Sequence, residues 1–222
     1  MDQDFVLRIV EAVFAGMIAM VAAFGGAWYA FRLNDKAKAR ETEQTQVAAI
    51  NRAQFTLIQQ INTLRFIDSQ TIEPVRSHPG RFIAMRPGLP VTATSRLDID
   101  TLLFLLETPD RELPFRLLVE QQRFDEVLEA LNERSRLHIE VLQPKLVAAG
   151  IQEKREYSSD EFIRAIGPEF ATHLERLTDD TILQIEKNIE SGCELVGELY
   201  TKMKARFPKR SIIRLDPDRP FA

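Results

Sequence analysis

The chain has 222 residues, with 29 Lys and Arg against 33 Asp and Glu, for a formal net charge of -4. That balance excludes the basic profile of a nucleic-acid-binding domain. The lone cysteine, Cys193, excludes an intrachain disulfide and fits a reducing compartment.

The first element is read from Ala12 to Phe31, AVFAGMIAMVAAFGGAWYAF, twenty residues without a charge. About 20 helical residues at ~1.5 Å each cover ~30 Å of hydrocarbon, so the run is expected to span a bilayer. A cleaved signal would want a positive start. Here the start is Met1-Asp2-Gln3-Asp4, and Arg8 is answered by Glu11 one turn later, at the expected outer interface. After the run come Arg32, Lys36, Lys38 and Arg40. Lys and Arg stay on the cytoplasmic side, so the short N-terminus is expected outside and the long remainder inside. Trp28 and Tyr29 read as an aromatic belt at the inner headgroup level. Small residues recur every fourth position within the run. Ala15, Ala19, Ala23 and Ala27 form one ladder, and Ala22, Gly26 and Ala30 form another. Such faces let helices approach closely in lipid, and they are the expected self-association or partner surface.

The helix is expected to continue, because 34–69 holds neither Pro nor Gly. A polar stretch, DKAKARETEQTQ, leads into an apolar stripe of Val47, Ile50, Leu57, Ile61 and Leu64, interrupted by Gln54. The stripe is too short for a sustained coiled coil. Pro74, Pro79, Pro87 and Pro90 with Gly80 and Gly88 predict a loop over 74–95, in which Phe82, Ile83 and Met85 dock on a core. Asp98 is positioned to cap a short helix from Ile99 to Glu107, apolar enough to be buried.

A long helix is predicted from Glu112 to Leu142, with Pro114 in its first turn and a stripe of Leu117, Leu118, Phe124, Leu128, Leu131 and Leu137. Pro144 and Gly150 mark its end or a kink. Ser158 and Glu161 form a capping-box pattern. Gly167-Pro168 then opens a last helix, Glu169 to Arg206, with Phe170, Leu174, Leu177, Ile182, Ile185, Ile189, Leu195, Leu199 and Met203 inward. Phe207-Pro208 stops it, and the tail reads as extended, with Ser211 to Ile213 forming a short strand or lying in a groove. The expected architecture is all-α: a membrane helix (1–32) continuing into an antiparallel bundle of about four long helices (33–207), then a tail (208–222).

Motifs for chemistry are sparse. His78, His138 and His173 show no HExxH spacing, and one Cys offers no CxxC. No GxGxxG, P-loop or GxSxG occurs. Cys193 reads as a small buried hydrophobe, and Asp179-Asp180 as a solvated face. No cofactor, metal or catalytic residue is expected. One cluster stands out: Lys202, Lys204, Arg206, Lys209, Arg210 and Arg214, without an acid among them. Cations suit a helix C-terminus and also suit anionic lipid or an acidic partner. The expected role is a single-pass, membrane-anchored helical interaction protein: a scaffold, adaptor or sensor accessory, oligomeric or bound to a membrane partner. The alternative is a membrane-active effector, such as a toxin or phage-defence component, whose span clusters on activation.

Overall fold

In the computed structural model of the chain, the backbone is described for 3–92, 95–151 and 158–214. Side chains are described from Met17 onward, apart from 18, 19, 21, 22 and 159 within these helices. The chain is all-helical, and among the described residues there is no strand. It divides into two compact units, 1–46 and 47–222.

Helix α1 runs unbroken over Gln3–Ile67. The first unit holds only its opening stretch, where Met20, Phe24, Trp28, Tyr29 and Phe31 are all exposed. Among the described residues no helix is long and apolar enough to cross a membrane. The Arg8–Glu11 pair and much of the first half of the uncharged run lie outside the described side chains.

The second unit stacks three core layers. Ile50, Leu57 and Ile61 of α1 open the first. They meet Leu102 and Leu105 of a 3-10 helix (Asp100–Glu107), Leu113 and Leu117 of α3 (Leu113–Leu137), and Leu195, Leu199 and Met203 of α6 (Pro168–Arg206). The second layer joins Leu64, Ile72 and Met85 to Phe124, Val127, Leu128 and Leu131 of α3 and to Ile182 and Ile185 of α6. The third holds Phe82 of the one-turn α2 (Arg81–Ala84), Leu137 and Leu142, Ile166 of α5 (Ser159–Ile166), and Ala171 and Leu174. Between α3 and α5 lies the short α4 (Gln143–Ala148).

The order of these layers fixes the topology. α1 and α3 both ascend from the first layer to the second, while α6 descends. The two ascending helices are therefore parallel, which corrects the expectation of a purely antiparallel bundle. The physical reason is the proline-rich segment. It is a return leg rather than a loose loop: from Phe82 in the third layer it passes Met85 in the second and reaches Leu97 and Leu102 in the first. Long helices number three among the described residues, α1, α3 and α6, where the periodicity predicts about four; the short helix expected from Ile99 to Glu107 is a 3-10 helix over Asp100–Glu107.

Two prolines act alike. A π turn over Asp68–Ile72 precedes Pro74, and another over His138–Leu142 precedes Pro144. In each, the next residue's N–H reaches back five positions, Glu73 to Asp68 and Gln143 to His138. Proline lacks an N–H and its ring crowds the carbonyl four residues back. Widening the preceding turn makes room for that ring and keeps the chain helical. The capping box at Ser158 and Glu161 forms as the sequence predicts, with both reciprocal hydrogen bonds present. Gly167, at φ +90°, supplies the left-handed residue from which α6 starts.

Candidate functional site

The return leg is an extended segment with no sheet to satisfy its backbone. α3 does so instead, through polar side chains facing it. The Asn132 amide grips one residue from both sides: Val91 N–H donates to Asn132 Oδ1 (2.9 Å), and Asn132 Nδ2 donates to the Val91 carbonyl (2.9 Å). The Gly88 N–H donates to Ser135 Oγ at 3.2 Å. Buried Gln121 accepts from the Leu97 N–H and from Gln60 Nε2, both at 2.8 Å. Gln60 also donates to the Ser95 carbonyl at 3.1 Å. Orphaned backbone groups would each cost about 1–3 kcal/mol if buried, so these amides determine where the leg lies.

Arg134 anchors the upper end of the leg. Its side chain is fully buried. Nη2 donates to the carbonyls of Met85 (2.6 Å) and Phe82 (3.2 Å), and Nε donates to Thr178 Oγ1 on α6 (3.2 Å). Burial alone pushes its pKa down to about 10. One turn on, His138 is nearly as buried, and its pKa falls to about 4 through burial and the neighbouring Arg134 charge. Among the described residues, Arg134 Nη1 and His138 Nδ1 have no hydrogen-bond partner.

Below that anchor, α2, α5 and the first turns of α6 enclose a pocket of about 470 Å³. Its walls are Pro79, Phe82, Ile83, Ala84, Phe162, Ile163, Pro168 and Ala171, and its polar members are His78, Thr172 and Glu175. His78 Nδ1 accepts the Gly80 N–H at 3.0 Å, which ties the ring to its own turn. Arg81 at the same turn is bound to Asp179 at 2.7 Å, and that hydrogen bond raises the arginine's pKa. A second, shallower depression follows α3 and α6. Its two adjoining parts, of about 490 and 660 Å³, share Glu126 and Gln184 and have polar walls.

The residues singled out from sequence are placed as follows. Ala23, Gly26, Ala27 and Ala30 are exposed on α1, and a Cβ on Gly26 would meet nothing within 4 Å. Ala15, Ala19 and Ala22 lie outside the described side chains. The basic cluster does not form one free array. Lys202 sits 2.8 Å from Glu198 and 3.5 Å from Asp110. Lys204 donates to the carbonyls of Pro208 (3.3 Å) and Arg210 (3.0 Å), closing the end of α6. Arg206 lies over Phe207 and Arg214 over Tyr200, at 5.7 and 5.8 Å from the ring centres. Exposed Lys209 and half-buried Arg210 complete the set. Within the tail, the Ser211–Ile213 segment lies against the domain as a groove-bound stretch would: Ile212 is buried in the first layer, and Asn51 holds Ser211 O (3.3 Å) and Ile213 N–H (3.0 Å). Among the described residues no group of three His, Cys, Asp or Glu is placed to hold a metal ion.

Sequence reading missed Arg134, Gln121 and Asn132. A signal existed for the first. Arg134 falls three residues after Leu131 and four before His138, in phase with the α3 stripe, but a charged residue reads as solvated. No protein-family model matches the chain, no curated protein matches it, and no solved structure matches it.

Proposed function

We propose that the chain is a single-pass membrane protein whose helical domain is a non-enzymatic interaction module on the cytoplasmic side. The carrying observation is the surface of α1. Met20, Phe24, Trp28, Tyr29 and Phe31 are 58–74 % exposed along one uncharged helical run. Large contiguous apolar surface in water marks an interaction or membrane site, at about 25 cal/mol per Å². A bilayer is the partner that accepts apolar groups on every side of a helix. Arg32 packs its guanidinium 4.3 Å from the centre of the Trp28 ring, the pairing of a cation and an aromatic belt expected at headgroup level. Lys36, Lys38 and Arg40 follow and favour the inner face. The faces of Ala15, Ala19, Ala23, Ala27, Ala22, Gly26 and Ala30 are the proposed helix–helix contact within the membrane.

The test is fractionation of the full-length chain. It is expected to pellet with membranes and to resist an alkaline carbonate wash, and a chain lacking residues 1–33 is expected in the supernatant. Full-length protein that stays in the supernatant without detergent overturns the reading.

A further inference from the structure

We propose that the pocket between the His78–Ala84 turn, α5 and the start of α6 binds a small molecule with an apolar body and a cationic head. Its volume, about 470 Å³, falls in the range of small-ligand sites. So does its construction, largely apolar walls with a few polar groups. Phe82, Ile83, Phe162 and Ile163 offer two aromatic rings and two branched side chains to a flat or branched apolar body. The walls come from three separate elements, so a bound molecule would bridge α2, α5 and α6.

The charge of the head follows from what lines the cavity. Among the described residues lining the pocket, Glu175, on the exposed side of α6, is the one with a charge. Arg81 feels the Glu175 charge, but its hydrogen bond goes to Asp179. An ammonium facing Glu175 gains a charge-assisted hydrogen bond, a carboxylate is repelled, and a neutral head gains neither. The roof is already held for such a ligand. The carbonyl of Phe82 is bound by buried Arg134 at 3.2 Å, so the pocket needs little ordering when it fills.

The experiment uses the full chain in lipid nanodiscs, with empty nanodiscs as the control for partitioning. Phenethylamine, phenylethanol and phenylpropionate are compared by saturation-transfer NMR and titration. The amine is expected to bind about tenfold more tightly than the carboxylate, with the alcohol between them. Glu175→Gln is expected to bring the amine to the level of the alcohol. Thr172→Trp, which places an indole at the pocket mouth from an exposed helical position, is expected to abolish binding of all three with the helical spectrum unchanged. If Thr172→Trp fails to fold, the Glu175→Gln comparison decides alone. The proposal is overturned if no probe binds above the empty-nanodisc control, if the carboxylate binds as well as the amine, if Glu175→Gln leaves the amine's advantage intact, or if a folded Thr172→Trp still binds. The site lies wholly in the second unit and does not rest on membrane anchoring, so its failure and that of the anchor are separate results.

Discussion

The guanidinium of Arg134 donates to the carbonyl of Met85 at 2.6 Å from a fully buried position, with no carboxylate among its hydrogen-bond partners in the described residues. The cation is held by two carbonyl oxygens of the return leg and by the Thr178 hydroxyl, so charge and backbone depend on each other. Arg134→Met keeps much of the volume and loses all three hydrogen bonds. It is expected to destabilise the domain by about 2–4 kcal/mol, read from urea unfolding followed by circular dichroism. Arg134→Lys reaches fewer acceptors and is expected to recover only part of the loss. Equal stability of Arg134→Met and the parent would remove the clasp.

His138 gives the clearest pH dependence. Its native pKa of about 4 lies below its ordinary value of 6.5, so between these values the unfolded chain binds more protons than the native one. Stability is therefore expected to be undiminished by this group above about pH 6.5 and to fall as the pH drops toward 4, by about 1–3 kcal/mol. His138→Phe, which cannot take up a proton, is expected to flatten that limb. A parent whose unfolding midpoint is level between pH 7 and 5 would contradict it.

The return leg is held residue by residue, so its loss should be local before it is global. Asn132→Ala removes both bonds to Val91, two contacts of about 1 kcal/mol each. Hydrogen exchange of the Val91 amide is expected to quicken well beyond that of the α6 core amides. Gln121→Ala is expected to cost more, because it also frees Gln60 in the buried layer. Uniform acceleration across the domain in Asn132→Ala would show that the leg has no separate opening.

Two glycines of α6 form a matched pair. A Cβ on Gly197 would meet nothing within 4 Å, whereas one on Gly192 would lie 3.0 Å from Ile61 Cγ1 and 3.2 Å from its Cδ1. Gly197→Ala is expected to stabilise by about 0.5–1 kcal/mol through helix propensity alone. Gly192→Ala should forfeit that gain and destabilise by about 1 kcal/mol, since Ile61 is buried and cannot step aside freely. The sign difference in melting temperature is the measurement.

Much of the helical pattern was legible in the sequence. Ile50, Leu57, Ile61 and Leu64 are all core, and the Ser158 capping box and the Gly167-Pro168 start are where the pattern puts them. Leu118 is not core; it is exposed, because the apolar stripe of α3 is carried by Leu117 and Gln121 faces the leg beside it. Periodicity reports which side of a helix is buried but not what lies against it. That is why Gln54, an apparent interruption, is fully buried opposite the tail, and why the path of the proline-rich segment escaped detection. Prolines also signal breaks too strongly where a π turn precedes them. The pocket needed three distant segments, around 78–84, 162–163 and 168–175, and no local spacing connects them.

The first core layer carries a consequence for biogenesis. Ile50 and Leu57 of α1 share a core with Met203 of α6 and with Phe207 and Ile212 beyond it, all distant in sequence. A ribosome emits these partners well after α1, so the apolar stripe of α1 waits uncovered while the intervening helices are made. Assembly of this domain is thereby tied to the emergence of α6, and a nascent chain stalled before α6 would offer that stripe to chaperones.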